Sequence, residues 1–185
     1  MKIKQITAPL DFDALKTLHA GDIVELSGSI YTARDAAHRR IKEALDAGSP
    51  PPVDFSGGVV FYAGPAPTPP GRVIGSIAAT TSIRMDKFLE MMYRLSIAAT
   101  IGKGERTAEA AALCKKYGRV YFLSTGGAAA IISRQIKSCR AIAYDDLGAE
   151  SIKLLEVEHL RLIVGIDAEG VVFGPQEIEK YRQPY

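Results

Sequence analysis

The chain has 185 residues, of which 47% are hydrophobic and 24% charged, and its formal net charge is +2. This length and composition are typical of a globular protein, so we expect a single domain over 1–185 with a sizeable core. The balanced charge and the lack of a dense Lys/Arg run argue against a nucleic-acid surface, and no apolar run approaches the roughly 20 residues of a membrane span.

Cysteine usage bears on the cellular compartment and on metal binding. The only cysteines are Cys114 and Cys139. Two thiols make neither a disulfide framework nor a complete ligand set for a metal ion or an iron–sulfur cluster. We therefore expect free thiols in a reducing cytoplasm, and the N-terminal residues lack the apolar core of a signal peptide.

The first third of the chain predicts alternating short strands and helices. Residues 1–10 favour an edge strand, residues 11–19 a short helical turn, and residues 23–27 a strand that ends in the flexible Ser27-Gly28-Ser29. Thr32 is predicted to cap the next helix, because Thr32-x-x-Asp35 fits the capping-box pattern in its weaker Asp form. That helix is expected to end near Gly48.

The remaining pattern predicts an α/β domain with a mixed sheet and helices on part of its surface. In chain order we predict a strand at 58–63, helices at 83–95, 107–117 and 128–136, intervening strands at 97–101 and 120–123, and later strands at 141–144 and 160–166, with 171–173 closing a hairpin. Ser124-Thr125-Gly126-Gly127 is interpreted as close helix–strand packing, with phosphate binding at the helix N-terminus as the alternative.

Two predicted helix starts share an unusual arginine. Arg34 follows Tyr31-Thr32-Ala33, and Arg84 follows Thr80-Thr81-Ser82-Ile83. Helix N-termini prefer anionic side chains, so a cation there is unexpected. Hydroxyls, free backbone N–H groups and a fork-shaped cation together suit a bound carboxylate or phosphate. The alternative is that both arginines simply point to solvent.

Further candidate residues lie near these junctions. Lys103 has a glycine on each side, which lets a backbone approach a ligand closely, although an exposed turn lysine has the same pattern. Three convergent cations would match a substrate with two carboxylates. His38 lies one helical turn beyond Arg34, where it could form a hydrogen bond near the site or serve a structural role. The three histidines form no metal motif.

Several motifs together resemble those of the class I fumarase and tartrate dehydratase family. The resemblance extends from about residue 5 to 175, and in that family this module is a C-terminal domain or a separate β subunit. The motifs that carry it are Ser27 to His38, Gly64-Pro65-Ala66, Thr80 to Asp86, Gly102-Lys103-Gly104 and Tyr144 to Glu150.

The resemblance implies a fold, a reaction and roles for named residues. The implied fold is a swivelling three-layer β/β/α domain. The implied reaction is reversible hydration of a dicarboxylate, with a [4Fe-4S] cluster that the other domain or subunit holds and whose iron acts as Lewis acid on the leaving hydroxyl. Arg34, Arg84 and Lys103 would clamp the substrate carboxylates. Thr80 and Thr81 would hydrogen-bond the substrate, and Thr80, if strongly activated, would remove the carbon-bound proton.

The resemblance therefore implies the β subunit of an iron–sulfur hydro-lyase that converts fumarate to L-malate in an (αβ)₂ assembly. An L-tartrate dehydratase β subunit and a non-catalytic anion-binding module of the same fold remain open. Three departures from the family pattern lie beside the site: Ala33 where glycine is usual, Ala78-Ala79 where Gly-Pro is usual, and Ile83 where glycine is frequent.

Overall fold

The computed structural model describes residues 3–174, and within them seven strands form one mixed sheet in the order β1-β2-β3-β4-β5-β7-β6. Neighbours from β1 to β5 run parallel, whereas β7 is antiparallel to β2, β5 and β6. Because β7 pairs with both β2 and β5, five strands close into a ring. The strands are β1 (Lys4–Ala8), β2 (Ile23–Thr32), β3 (Val59–Phe61), β4 (Ala99–Gly102), β5 (Val120–Leu123), β6 (Ile136–Ala143) and β7 (Ile152–Ile166).

Helices occupy most of the connections. They are α1 (Phe12–Leu15), α2 (Asp35–Asp46), α3 (Asp86–Arg94), α4 (Ala108–Tyr117) and α5 (Ala129–Arg134), with 3-10 turns at Ser82–Met85 and Asp145–Glu150. The α/β class and the mixed sheet are thus confirmed. The swivelling three-layer arrangement stays a prediction. Between residues 3 and 174, no helix is both long and apolar enough to cross a membrane.

Buried side chains form two apolar clusters, and alternate residues of β3 belong to different clusters. Val59 and Phe61 of β3 belong to a cluster that draws on all five ring strands. Val60 of β3 belongs to a second cluster with Ile41 of α2 and Leu89 of α3. Successive side chains of a strand point to opposite faces. The side chains on one face of the ring therefore pack against one another, and those on the other face pack against the helices.

Local sequence signals correctly predict several element boundaries. Thr107 caps α4, because its Oγ1 accepts a hydrogen bond from the Ala110 N–H at 3.2 Å. Gly118 ends that helix in the left-handed conformation, with φ at +62°. The isolated antiparallel bridge between Ile166 and Val172 agrees with the predicted hairpin.

The predicted end of β2 and the predicted cap of α2 are wrong. The strand continues through Ser27-Gly28-Ser29 to Thr32, because β7 pairs with it along this length around a bulge. Thr32 is therefore a buried strand residue, whose Oγ1 accepts a hydrogen bond from the Lys153 N–H at 3.2 Å. The residue at the N-cap position of α2 is Arg34, whose side chain makes no capping hydrogen bond.

Other differences concern the second half of the chain. The close-packing interpretation of Ser124-Thr125-Gly126-Gly127 is wrong, because a Cβ added at Gly126 or Gly127 would meet no atom of residues 3–174 within 4 Å. Gly127 instead has a φ of +76°, a conformation that favours glycine in a turn. Strands β6 and β7 are longer than their apolar segments predict, since each continues through polar residues that pair with its neighbour.

Candidate active site

The start of α2 is held by a carboxylate from a distant part of the chain. Glu150 Oε2 accepts a hydrogen bond from the Ala36 N–H at 3.0 Å, so it does the capping that the sequence assigned to Thr32. Glu150 Oε1 also lies 3.6 Å from Arg34 Nη2. The Asp145–Glu150 turn thereby fixes both the first turn of α2 and the arginine that precedes it.

The two arginine junctions meet at a single carboxylate, Asp35. Arg84 Nη2 donates to Asp35 Oδ2 at 3.2 Å, and Arg34 Nη2 lies 4.0 Å from the same oxygen. Arg84 Nη2 also donates to Thr80 Oγ1 at 2.7 Å. A charged donor thus contacts the threonine hydroxyl, and side-chain contacts connect Arg34, Arg84 and Thr80.

Lys103 reaches the same region through its backbone. It forms a parallel bridge with Thr81, and its carbonyl oxygen accepts a hydrogen bond from the Ser82 N–H at 3.0 Å. The Lys103 side chain is exposed. The loop after β4 and the segment after Ala79 are therefore paired, which places the third predicted cation next to the two threonines.

Gly64 permits close packing behind Arg34. A Cβ added at Gly64 would lie 2.7 Å from the Ala149 carbonyl oxygen and 3.4 Å from Arg34 Cδ. Real Cβ atoms essentially never approach a backbone oxygen so closely, so a larger residue would displace the turn that carries Glu150. Gly64 thus lets the Asp145–Glu150 turn and the Arg34 side chain pack closely against this segment.

The charges of the site favour an anion on a face open to solvent. Asp35 pairs with Arg34 and Arg84, and Glu150 pairs with Arg34. Together with the exposed Lys103, these five side chains have a formal net charge of +1. The Arg34 and Arg84 side chains are 27% and 49% exposed. Both guanidinium groups are therefore partly available to an incoming carboxylate, and Asp35 holds them in a shared orientation.

His38 has a structural position behind the arginines. It is fully buried, and its Nδ1 lies 2.8 Å from the Arg34 carbonyl oxygen, to which it donates. Burial lowers the pKa of His38 to about 4, although the hydrogen bond to Arg34 and the charge of Asp35 oppose this effect. The imidazole is therefore neutral at pH 7, and among residues 3–174 its Nε2 has no hydrogen-bond partner.

Within residues 3–174, neither cysteine belongs to a metal-binding group. Cys114 is buried with its Sγ 3.2 Å from the Tyr93 hydroxyl, Cys139 is half-buried in β6, and both are free thiols. Across the described 172 positions from 3 to 174, no three His, Cys, Asp or Glu residues come together as a possible metal site. This part of the chain has no donor set that fits an iron–sulfur cluster.

Comparison with known protein families decides the relationship that these motifs indicate. A model of the family described as "Fumarase C-terminus" matches residues 2–175. The chain belongs to the fumarase C-terminus family. This match covers every residue of the site described above and the two turns that hold it.

Relatives within the fumarase C-terminus family include hydratases and a dehydratase subunit. The chain is 36% identical to the anaerobic class I fumarate hydratase of Escherichia coli (strain K12) over 85% of its own length and 29% of that protein. It is 38% identical to fumarate hydratase 2 of Leishmania major over 81% of its length and 27% of that protein. It is 29% identical to the L(+)-tartrate dehydratase subunit beta of E. coli K12, covering 90% of this chain and 84% of that subunit.

These comparisons also show how this member of the family relates to larger proteins. The chain spans somewhat more than a quarter of the length of each fumarate hydratase, but most of the tartrate dehydratase subunit. The relatives are hydro-lyases by name, and the subunit designation implies a partner chain for that relative.

Sequence patterns do not identify two carboxylates that hold the arginines of this site. The capping-box pattern indicates a capping role for Asp35, whereas in the structure this carboxylate contacts both Arg34 and Arg84. Glu150 was noted only as part of a late motif, although it holds Arg34 and caps α2 from 114 residues away. Two arginines that approach each other repel unless an anion lies between them. A carboxylate next to the predicted arginine pair could therefore have been expected from the sequence, and Asp35 is adjacent to Arg34.

Proposed function

We propose that this chain is the β-type subunit of a hydro-lyase that reversibly hydrates fumarate to L-malate. The observation that carries the proposal is the meeting of Arg34 and Arg84 at Asp35, with Thr80 in contact with Arg84. Lys103 adds a cation on the paired loop. Two separated carboxylates on a substrate need more than one cationic clamp, and planar guanidinium groups bind carboxylates through two parallel hydrogen bonds.

The proposed roles follow from the contacts of each side chain. Arg34, Arg84 and Lys103 bind the substrate carboxylates, and Thr81 and Thr80 hydrogen-bond the substrate. In the dehydration direction, Thr80 releases its own hydroxyl proton to solvent and, as the alkoxide, takes the carbon-bound proton, which restores the hydroxyl. A free threonine hydroxyl is too weak a base, but the Arg84 guanidinium at 2.7 Å stabilises negative charge on Thr80 Oγ1.

A partner subunit is the second part of the proposal. The arginines lie on a half-open face, which supports completion of the site by another chain. We place a [4Fe-4S] cluster on this α subunit in an (αβ)₂ assembly, where its iron would supply a Lewis acid for the leaving hydroxyl. The similarity over 84% of a subunit named beta supports a separate partner chain.

L-tartrate dehydration is the second candidate activity. The length of the matched region favours it, since this chain spans 84% of the E. coli tartrate dehydratase beta subunit but less than a third of each fumarate hydratase. Both substrates present two carboxylates to the same cations, so the clamp alone does not separate them. A non-catalytic anion-binding module of the same fold is the third alternative.

Anaerobic reconstitution with a cluster-bearing α subunit tests the proposed function. The expected result is that the isolated chain is inactive and that the complex hydrates fumarate. Rates with malate, fumarate and both tartrate enantiomers would rank the two activities. Higher kcat/KM for one tartrate enantiomer would favour the second candidate. Binding of malate without turnover in a cluster-loaded complex would favour the non-catalytic module.

Removal of either clamp arginine should weaken the reconstituted enzyme. Arg34→Ala and Arg84→Ala are each expected to lower kcat/KM by about 30- to 150-fold, the loss of a charge-assisted contact worth about 2–3 kcal/mol. Steady-state kinetics of the complex measures the change. Arg39→Ala is the matched control, because Arg39 is an exposed arginine of α2. Wild-type kcat/KM in both variants would show that the clamp assignment is wrong.

A further inference from the structure

A chain of hydroxyl groups lies directly beneath the Lys103 loop. Ser82 Oγ accepts a hydrogen bond from the Lys103 N–H at 2.9 Å. The hydroxyl oxygens of Ser82 and Tyr121 are 2.9 Å apart, and the Tyr121 hydroxyl lies 3.0 Å from the Gly104 carbonyl oxygen. Ser82 is fully buried and Tyr121 is 1% exposed, so water does not compete for these contacts.

Donor counting fixes the direction of this chain. A backbone carbonyl only accepts, and a tyrosine hydroxyl has a single proton, so Tyr121 donates to Gly104. Ser82 accepts from Lys103 and donates its own proton to Tyr121, which leaves each hydroxyl with one donor and one acceptor. The backbone on both sides of the Lys103 carbonyl is thereby held, at the Lys103 N–H and at the Gly104 C=O.

Neighbouring residues leave room for the Ser82 hydroxyl and contact the Tyr121 ring. A Cβ added at Gly102 would lie 1.7 Å from Ser82 Oγ, so only glycine leaves room for the serine hydroxyl. The Arg106 guanidinium lies 4.7 Å from the centre of the Tyr121 ring, and Asp86 forms an ion pair with that arginine. Burial raises the pKa of Tyr121 to about 12, which keeps its hydroxyl protonated as a donor.

We propose that Ser82 and Tyr121 are positioning residues that fix Lys103 for binding of a substrate carboxylate, through the hydrogen-bonded chain from the Lys103 N–H to the Gly104 carbonyl. The inference rests on the proposed function, because it takes Lys103 as part of the substrate clamp. Lys103 has a long, flexible side chain, and a fixed backbone lowers the entropy cost of placing its ammonium group against a carboxylate. Neither hydroxyl needs to touch the substrate.

The test uses the Tyr121→Phe variant in the reconstituted complex, with Tyr93→Phe as the matched control. Tyr93 is also a buried tyrosine, and its hydroxyl contacts Cys114 in the helix-covered cluster. Tyr121→Phe is expected to raise KM about tenfold with kcat changed less than twofold, because uniform carboxylate binding is weakened. Tyr93→Phe should leave both constants unchanged.

A double-variant cycle separates positioning from a general structural effect. In a Lys103→Ala background, Tyr121→Phe should cause no further rise in KM, because the group that it positions is already absent. In the full chain alone, Tyr121→Phe should also speed amide exchange at Lys103 at least about tenfold without a matching change at β1. Independent, additive effects on KM, or unchanged exchange at Lys103, would overturn the inference.

Failure of the proposed function gives a different result. A cluster-loaded wild-type complex that turns over none of the four dicarboxylates would overturn the proposed function and the substrate-binding half of this inference. An active complex with additive effects of Tyr121→Phe and Lys103→Ala would overturn the inference alone. Amide exchange at Lys103 decides in either case whether the hydroxyl chain holds the loop.

Discussion

The Thr80→Val variant is expected to lose about 10²- to 10⁴-fold in kcat of the reconstituted complex. Valine keeps the β-branched shape but has no side-chain oxygen to receive the carbon-bound proton. The Thr80 N–H would still donate to the Tyr62 carbonyl oxygen, as it does at 2.7 Å in the native chain. The backbone of the site should therefore persist, and steady-state kinetics would measure the loss of chemistry rather than of folding.

Two further variants make this result specific. Thr80→Ser retains a hydroxyl and should recover most of the activity lost in Thr80→Val. Thr68→Val removes an exposed hydroxyl from the Pro-rich segment and should leave kcat unchanged. If Thr80→Val turned over at the wild-type rate, Thr80 would have no role in proton transfer.

Acidification should destabilise the isolated chain through His38. This histidine is buried and neutral, with its pKa lowered to about 4, whereas in the unfolded chain its pKa returns to about 6.5. Between these values the unfolded state binds more protons, so stability rises with pH and falls as the pH drops from 6.5 towards 4. The expected loss is on the order of 3 kcal/mol in the free energy of unfolding, measured by urea denaturation at pH 7 and pH 4.

A comparison of pH slopes isolates the contribution of His38. His38→Asn keeps an N–H donor for the Arg34 carbonyl but removes the titrating ring, so the loss between pH 7 and pH 4 should shrink by most of that amount. His19→Asn changes an exposed histidine and should keep the wild-type slope. Equal slopes for wild type and His38→Asn would mean that protonation of His38 does not govern acid stability.

Elements with strong local signals were predictable, whereas elements held by distant pairing were not. Helix α4 begins at a capping threonine and ends at a left-handed glycine, and both features are encoded within a few residues. The sequence predicts too short a β2, because Ser27-Gly28-Ser29 has the composition of a turn. A Cβ added at Gly28 would lie 2.3 Å from the Ala8 carbonyl oxygen. This glycine therefore allows β1 to approach β2 closely, and it does not mark a flexible end of the strand.

The same distinction holds within the candidate site. The repeated threonine–arginine pattern predicted that Arg34 and Arg84 serve one site, and the two side chains do meet at Asp35. The partners that orient the site come from elsewhere in the chain. Tyr121 lies within the apolar sequence of β5. The local sequence does not distinguish a tyrosine that only packs in the core from one whose hydroxyl also holds a loop.

The closure of the ring by β7 has a consequence for the order of folding. This strand covers 152–166, and its pairing with β2 joins Ile23 to Ile163 and Thr32 to Lys153. Contacts at such sequence separations form slowly, because a long loop must close before they contribute stability. During synthesis, a nascent chain that ends before β7 leaves β2 and β5 with unpaired edges, which invite association with other chains. Among the strands of residues 3–174, β7 is the last to be synthesised, and its pairing covers the open edges of β2 and β5.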